Sequence, residues 1–403
     1  MGKQEDNIIV ALDVGTTKVC CLVAEETEEG LRAIGLGMAE STGLRRGVVV
    51  NIESTVSSIV QAVQQAEQQC GEEIRSVLMG IAGSHIRSQQ SHGVIALKSG
   101  EVTEEDVQRV IEAARAINLP NDRLILHAIP QEFIVDDQRG IEQPIGMSGV
   151  RLEAKVHIIT AASSAVQNLV KCAEKAGLEV EAVILQPLAS AEAVLTDEER
   201  QLGVALIDFG GGTTDVAIFL EGALRYTAAV GVGGQLLTSD LTVGLRTTIS
   251  AAEKLKIHYG CCLAALVPRE EYIEVPGLGN RPSRRLSRQI LAEILEPRVE
   301  ELLEILNTEL ERSELKPRLG SGVVITGGSA LLPGLLEMAD QIFELPTRIG
   351  YPQKLAGLAE EIYHPRLSTA VGLLLHGTKY LPPQSERRSK GPISRIVDKI
   401  FGR

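Results

Sequence analysis

The 403-residue sequence contains no tryptophan, and aromatic residues make up only 3% of it. Its cores must therefore be built from aliphatic side chains, and a hydrophobic content of 44% supplies enough of them for two or more packed units. No apolar run approaches the roughly 18 residues that a membrane-spanning helix needs, and the N-terminus has no signal-peptide pattern. These absences predict a soluble, globular body.

Cysteine is scarce, and the six residues present include no C-x-x-C pair. They are the neighbours Cys20 and Cys21, the neighbours Cys261 and Cys262, and the isolated Cys70 and Cys172. No histidine is spaced to complete a zinc site with them. We therefore expect reduced thiols that pack in the cores, as is usual in the cytoplasm.

Basic residues are in the minority, since 40 Lys and Arg face 53 Asp and Glu for a net charge of −13. This balance argues against general nucleic-acid binding, because phosphate backbones attract basic surfaces. Residues 385 to 403 are the exception, with six basic and two acidic side chains and a local charge of +4. A basic segment on an acidic protein indicates either solvation or an anionic partner.

Glycine, by contrast, is concentrated in turns between apolar segments. The stretch VALIDFGGGTTDVAIF, residues 204 to 219, predicts a β-hairpin whose glycine turn can bring several N–H groups to one anion. Its polar and glycine positions are Asp208, Gly210, Gly211, Gly212, Thr213 and Thr214. IIVALDVGTTKVCCLV, residues 8 to 23, repeats the order with Asp13, Gly15, Thr16, Thr17 and Lys18. One such turn is common in proteins, but two copies predict two lobes that face one ligand.

Each hairpin begins a repeat of three strands and a helix. The predicted strands are 8 to 14, 18 to 26 and 31 to 39, then 202 to 209, 214 to 221 and 224 to 230, and the helices are 54 to 69 and 234 to 245. A third glycine turn at 325 to 334 follows a strand and precedes a helix. This set resembles the actin and sugar-kinase ATPase superfamily. The resemblance implies an α/β, two-lobed, actin-like fold with duplicated, mixed, ribonuclease-H-like sheets.

Residues 84 to 162 have no counterpart in the second repeat, so they predict an inserted strand-helix-strand-strand domain. Its predicted elements are strand 93 to 97, helix 104 to 118, and strands 123 to 136 and 151 to 160. The sequence also contains the motifs IAGSHIRS, VHIITA, AEKLKI and HPRLSTAVGLLL. With these motifs and the insertion, residues 5 to 380 resemble the FtsA family of bacterial cell-division scaffolds. Pilus-assembly proteins of the PilM type are relatives with the same insertion.

The expected organisation follows the two repeats. The inner part of the first lobe takes residues 1 to 83 and 163 to 199 with a closing helix at 363 to 380, and the inserted domain takes 84 to 162. The inner part of the second lobe takes 200 to 233 and 313 to 362, and its outer part takes 234 to 312. Within that outer part we expect variable surface at 261 to 283 and one helix over 284 to 312. Residues 381 to 391 have the composition of a linker.

The resemblance implies ATP and Mg²⁺ as ligands. Mg²⁺ keeps most of its water shell, which Asp13 and Asp208 would hold. The phosphates would lie against Gly15, Thr16, Thr17, Lys18, Gly210, Gly211, Gly212, Thr213, Thr214 and Gly234. Glu253 would face the ribose, Lys256 the base, and Gly327, Gly328 and Ser329 the other wall of the base site. An exposed Glu253–Lys256 ion pair is the simpler alternative for those two.

Gln186 stands at a strand-to-helix join, where the superfamily places the residue that positions an attacking water. A capping or surface amide is the alternative. A water-positioning glutamine without a strong base gives slow turnover at best, so hydrolysis stays open.

The last twelve residues, 392 to 403, predict an amphipathic helix. The apolar positions at helical spacing are Ile393, Ile396, Val397, Ile400 and Phe401, and the flanking basic residues are Arg395, Lys399 and Arg403. A short terminal helix of this kind, beyond a linker, favours binding to an anionic membrane surface over packing in a core.

The resemblance therefore implies a peripheral protein on the cytoplasmic face of the membrane at the division septum. It would polymerise into actin-like filaments, anchor the tubulin-like protein FtsZ and help recruit later division proteins. Candidate FtsZ contacts are Arg284, Arg285, Arg288 and Arg298. A PilM-like adaptor, a small-molecule kinase with the same hairpins and a chaperone ATPase are the alternatives. The kinase would need a substrate pocket that residues 84 to 162 do not obviously supply. The terminal helix favours the hypothesis of an FtsA-like protein.

Overall fold

The computed structural model describes residues 7–279 and 281–380, which form two lobes and an inserted domain. The strands are β1 Ile8–Val14, β2 Lys18–Thr27, β3 Gly30–Glu40, β4 Leu44–Arg45, β5 Val48–Val49, β6 Ser76–Ile81, β7 Arg87–Ala96, β8 Arg123–Val135, β9 Gln138–Ile141, β10 Arg151–Ala162, β11 Glu179–Leu185, β12 Val204–Phe209, β13 Thr214–Leu220, β14 Ala223–Val230, β15 Tyr272–Val275, β16 Arg284–Ser287, β17 Val323–Thr326, β18 Thr347–Ile349 and β19 Ala356–Gly357. The helices are α1 Ile52–Cys70, α2 Glu104–Arg115, α3 Ser163–Lys175, α4 Gln186–Val194, α5 Asp197–Leu202, α6 Gly234–Gly244, α7 Ile249–Tyr259, α8 Arg288–Arg312, α9 Leu335–Phe343, α10 Ala359–Ile362 and α11 Ser368–Tyr380.

The two lobes are built on sheets of matching order. The first sheet runs β11-β6-β1-β2-β3-β19 and the second runs β18-β17-β12-β13-β14. In both, an antiparallel hairpin of two strands pairs in parallel with a later strand: β1 and β2 with β6, and β12 and β13 with β17. The duplication predicted from the two glycine hairpins is therefore confirmed.

Aliphatic side chains fill both lobes, as the lack of aromatics requires. The first lobe packs α1, α3, α4 and α11 on its sheet, with Leu12, Leu22 and Ile59 fully buried. The second lobe buries the leucines of α8 against α6, α9 and the second sheet. Five of the six cysteines are buried, and all six are free thiols. Burial raises the pKa of the Cys20 thiol to about 12, so this thiol is unreactive packing material.

The inserted domain is a four-stranded sheet of order β7-β10-β8-β9 with α2 on one face. Thr103 caps α2, and its hydroxyl and the Asp106 carboxylate form a capping box. Val110 and Ala114 lie on the buried face of α2. The strand predicted at 93 to 97 is longer than expected, since β7 begins at Arg87, while the helix predicted to reach residue 118 ends at Arg115.

The outer part of the second lobe differs from the prediction at one place. The helix expected over residues 284 to 312 begins only at Arg288, because Arg284–Ser287 forms β16, which pairs with β15. The preceding segment is consequently not variable surface throughout, since Cys262, Val267 and Ile273 are buried. Alternation over four residues is too short a signal to separate a strand from the helix that follows it.

In the part of the chain that the structure describes, no helix is long and apolar enough to cross a membrane. The predicted linker at 381 to 391 and the predicted terminal helix at 392 to 403, with its apolar and basic positions, lie outside the described residues.

Candidate functional site

The turns of the two glycine hairpins meet between the lobes, in the region that we call the cleft. The β1–β2 turn brings Thr16 and Thr17 directly against Gly211 and Gly212 of the β12–β13 turn. A Cβ atom on Gly212 would lie 2.5 Å from Thr16 Oγ1, and one on Gly211 would overlap the Thr17 side chain. Only glycine permits this approach, so the turn composition is a requirement of the interlobe contact.

Asp13, on β1, is buried and carries two polar neighbours. The Lys18 ammonium lies 2.7 Å from Oδ2, and Gln186 Nε2 donates to Oδ1 at 3.0 Å. Burial by itself would lower the pKa of Lys18, but the Asp13 carboxylate outweighs it and raises that pKa. Lys18 therefore stays positively charged beside the turn. Gln186, predicted from its place at the start of α4, does reach the cleft.

Asp208, on β12 of the second lobe, is held by hydroxyl groups of the first lobe. Ser190 Oγ on α4 donates to Asp208 Oδ2 at 2.7 Å, and Thr369 Oγ1 on α11 donates to the same oxygen at 3.3 Å. Burial raises the pKa of Asp208, and the Asp13 charge adds to this effect while the Ser190 hydrogen bond opposes it. The sequence reading missed Ser190 and Thr369. The available signal was the place of Ser190 one helical turn after Gln186.

Asp215 is a second carboxyl group of the same hairpin that the sequence reading missed. It lies opposite Asp208 in the β12–β13 register, and its Oδ2 accepts a hydrogen bond from Thr213 Oγ1 at 3.2 Å. Burial, reinforced by the Asp208 charge, raises the pKa of Asp215 to about 8. A carboxyl group that holds its proton near neutral pH can release it when a cation is bound nearby.

The start of α6 forms another wall of the cleft. Gly234 N donates to Gly210 O at 3.0 Å, and a Cβ atom on Gly234 would lie 2.5 Å from Ser329 Oγ. Lys256 Nζ lies 2.8 Å from Glu253 Oε2 and donates to Gly234 O at 3.0 Å. The predicted phosphate and nucleoside residues of the second lobe are therefore neighbours.

The late glycine turn closes the same region. Gly327 has φ of +90°, and a Cβ atom there would lie 2.7 Å from Asp208 Oδ1. A Cβ atom on Gly328 would lie 3.9 Å from Arg366 Cβ, an ordinary contact distance. This turn thus brings the predicted nucleoside residues Gly327 and Gly328 next to the second hairpin.

Two predicted residues are engaged differently from the expectation. Thr214 is fully buried, and its hydroxyl donates to Val232 O at 2.9 Å, so in this structure it supports a turn instead of offering a donor to the cleft. Lys256 also contacts Thr238 Oγ1 at 2.9 Å, which leaves its ammonium satisfied by protein atoms. For Lys256 to contact a nucleotide base, its ammonium group would have to give up one of these hydrogen bonds.

The four predicted partner-binding arginines lie apart from the cleft, in the outer part of the second lobe. Arg284 donates to Leu245 O, Arg288 pairs with Glu271 at 2.8 Å, and Arg298 pairs with Asp240. Arg285 lies over the Tyr272 ring, 4.4 Å from its centroid. Three of the four guanidinium groups therefore have internal hydrogen-bond partners.

The cleft residues fit a magnesium-bound polyphosphate. Gly211 and Gly212 hold the two turns in contact beside the carboxylates, and Lys18 supplies positive charge there. Asp13 and Asp208 supply one carboxylate from each lobe, which suits an ion that binds through few protein ligands and several waters. Within residues 7–279 and 281–380, no group of three or more His, Cys, Asp or Glu forms a direct metal cluster.

Comparison with known proteins gives consistent matches over most of the chain. The family described as "Cell division protein FtsA" matches residues 205–372, and "SHS2 domain inserted in FTSA" matches residues 83–160. The cell division protein FtsA of Pseudomonas aeruginosa is 49% identical over 375 residues, which cover 93% of this chain and 90% of that protein.

Solved structures match at the level of the fold. The "PilM-PilN type IV pilus biogenesis complex" aligns with a TM-score of 0.67 at 16% identity, covering 92% of this chain and 98% of that one. MreB5 of Spiroplasma citri bound to ADP aligns with a TM-score of 0.54 at 15% identity, covering 96% and 100%. The two-lobed, actin-like fold with an inserted domain is therefore confirmed.

Proposed function

Because this chain belongs to the FtsA family of cell division proteins, we propose that it is an ATP-binding, actin-like scaffold that tethers FtsZ filaments to the cytoplasmic membrane. It acts at the division septum, assembles into filaments and helps recruit later division proteins. The observation that carries the nucleotide part is the pair of hairpins, one from each lobe, whose turns touch beside Asp13 and Asp208.

The two hairpins make the site a clamp. A ligand that rests on both turns favours the arrangement in which the lobes are close, and it shifts the population by its differential affinity for that arrangement. The Lys18 charge and the glycine N–H groups bind the phosphates, and magnesium neutralises phosphate charge when it is bound. Nucleotide binding would therefore set the arrangement of the lobes, and the contacts between subunits of a filament would depend on that arrangement.

Hydrolysis would be slow or absent. Gln186 is fixed on the Asp13 carboxylate at 3.0 Å and in that position can orient a water, but an amide is not a base. The site accordingly suits retention of ATP better than rapid turnover.

The membrane part of the proposal depends on the sequence of residues 392 to 403. Five apolar side chains at helical spacing and three flanking basic residues, beyond a basic linker, form the pattern of a membrane-surface helix. Anionic lipid attracts such a segment by about 1 kcal/mol for each basic residue near the surface. The tether would place the protein on the membrane as a peripheral component.

Sequence identity favours a role in cell division over one in pilus assembly for this chain. The match to the Pseudomonas aeruginosa protein is 49% identical, whereas the match to the PilM–PilN structure is 16% identical and carries only the fold. Support for a nucleotide comes from the cleft geometry and from the fold neighbour MreB5 of Spiroplasma citri, whose structure is bound to ADP.

Thermal unfolding with and without Mg²⁺ and ATP tests the proposal. A ligand at about 100 times its dissociation constant adds roughly 2.7 kcal/mol to the free energy of unfolding. The melting temperature should rise with Mg·ATP, and Asp208→Ala should remove the rise. No rise for the unmodified protein at millimolar ATP would reject the nucleotide site.

A further inference from the structure

The inserted domain contacts both walls of the cleft. It is continuous with the first lobe through β6 and α3, yet the strands β7, β8 and β10 also pack against β14 of the second lobe. Among the described residues, β14 is an edge strand of the second sheet and pairs with β13 on one side. Edge strands expose unpaired backbone groups, which proteins usually cover.

Four polar side chains of the inserted domain cover this edge. Gln131 Nε2 donates to Leu224 O at 2.6 Å, Ser88 Oγ to Thr227 O at 3.0 Å, and Gln90 Nε2 to Arg225 O at 3.3 Å. His157 Nε2 shares a hydrogen bond of 3.2 Å with Thr227 Oγ1. We call these four side chains, Ser88, Gln90, Gln131 and His157, the strap.

The strap is a buried, specific contact. Gln131 is 9% exposed, His157 2% and Thr227 7%, so breaking their hydrogen bonds without replacement leaves polar groups away from water. The contact lies where β14 carries an irregularity opposite Ile218 and Phe219. A bulge of this kind re-aims the backbone groups of one strand, here toward the inserted domain.

The strand that carries Gln131 also reaches the residue next to Gln186. Leu185 N donates to His127 Nε2 at 3.0 Å, and His127 belongs to β8, the strand that carries Gln131. Gln186 in turn donates to Asp13. One strand of the inserted domain thus connects the first-lobe wall of the cleft, at Gln186, with the edge strand of the second lobe.

We propose that the inserted domain, through the strap, holds the two lobes together and thereby sets the rate of nucleotide exchange. Rotation of the second lobe away from the first, which would separate the two hairpin turns, also pulls β14 from Gln131 and His157. The strap therefore holds the closed arrangement independently of the ligand and must yield before nucleotide leaves. This inference assumes the nucleotide site proposed above and assigns its regulation to the inserted domain.

The release of a fluorescent ATP analogue tests the strap. The analogue is loaded with Mg²⁺ and chased with excess ATP in a stopped-flow instrument. Gln131→Met has a similar length but no group that can donate to the Leu224 carbonyl, and we expect it to release the analogue about tenfold faster. Gln138→Met, the same substitution at an exposed position of β9 in the same domain, should release at the unmodified rate.

Hydrogen exchange of the peptide that spans β14 is the second readout. Faster exchange together with faster release supports the strap, whereas faster exchange with unchanged release would show that the contact is only structural and would overturn the proposal. If Gln131→Met does not fold, Ser88→Ala removes another hydrogen bond of the strap, and unchanged release in that variant would also overturn the proposal. Absence of analogue binding by the unmodified protein would instead reject the nucleotide site itself.

Discussion

The Ser190 hydroxyl on α4 of the first lobe donates a 2.7 Å hydrogen bond to the Asp208 carboxylate on β12 of the second lobe. We expect Ser190→Ala to lower the free energy of unfolding by about 1 to 3 kcal/mol, because it leaves the partly buried Asp208 carboxylate with one strong donor fewer. It should also weaken Mg·ATP binding about tenfold, a loss near 1.4 kcal/mol.

Chemical unfolding and calorimetric titration measure the two effects separately. Ser76→Ala is the matched control, since the Ser76 hydroxyl donates to Glu181 at 2.5 Å at the start of β6. Ser76→Ala should lower the free energy of unfolding without changing nucleotide affinity. Equal nucleotide affinity in Ser190→Ala and the unmodified protein would mean that the Ser190 bond does not prepare Asp208 for its ligand.

Gly211 allows the two hairpin turns to touch, and Gly211→Val should separate them. A Cβ atom at this position overlaps the Thr17 side chain, so the branched side chain forces the turns apart. The ATP-dependent rise in melting temperature should disappear. Gly231→Ala is the control, because its Cβ atom would lie 3.6 Å from Arg46 Cδ, an ordinary contact distance. A normal ATP response in Gly211→Val would contradict the contact.

The stability of the protein should fall as pH decreases from about 6.5 toward 4. Burial lowers the pKa of His157 to about 4, while burial and the nearby His376 lower the pKa of His127 to about 3. Above the ordinary value, near 6.5, both rings are neutral in the folded and unfolded states. Below it the unfolded chain binds protons that the folded protein does not, which favours unfolding.

Urea unfolding between pH 7.5 and 4.5 measures this dependence. His157→Gln should remove up to about 1.4 kcal/mol per pH unit from the slope over the lower part of this range. His92→Gln, at an exposed position on the same sheet, is the control and should leave the slope closer to that of the unmodified protein. The same slope in all three proteins would show that His157 is protonated in the folded state.

Arg285 is the best placed of the four candidate arginines to contact FtsZ. Its guanidinium stacks on exposed Tyr272, whereas Arg288 and Arg298 are paired with carboxylates inside the lobe. Arg285→Glu should weaken co-sedimentation with FtsZ, because an acidic partner segment would meet a reversed charge. Arg312→Glu, an exposed charge reversal at the far end of α8, is the control. Loss of ATP affinity in Arg285→Glu would indicate a folding defect, and unchanged co-sedimentation would place the partner elsewhere.

Membrane binding should depend on residues 392 to 403 and on filament assembly. Full burial of five apolar side chains is worth roughly 7 to 15 kcal/mol in gross terms. Partial insertion and the ordering of about eleven residues, at on the order of 1 kcal/mol each, remove most of it. Single tails should therefore bind weakly, and filaments more firmly by about 10² to 10⁴ through avidity.

Liposome pelleting with ATP checks the tether. Ile400→Glu should release the protein from anionic vesicles while ATP binding persists, and high salt should weaken the binding of the unmodified protein. Ile400→Leu keeps the apolar face and is the control. Full pelleting by protein that lacks residues 392 to 403 would locate the tether in another part of the chain.

The sequence by itself determined the duplicated lobes, the inserted domain and most of the cleft. These features are local: a glycine turn between two apolar segments forms a hairpin wherever it lies, and two copies require two similar sheets. Asp13, Lys18, Gly211 and Gly234 could be predicted because each belongs to a short motif. The motifs also identified the family, which the 49% identical relative confirms.

Only the tertiary structure decided which distant side chains meet. Ser190 and Asp208 are 18 residues apart and belong to different lobes, and Gln131 meets Leu224 across 93 residues. No periodicity encodes such pairs, because they depend on how whole sheets and helices pack. The β16 strand before α8 was missed for the same reason: its four residues take their conformation from pairing with β15, a partner that no local pattern reveals.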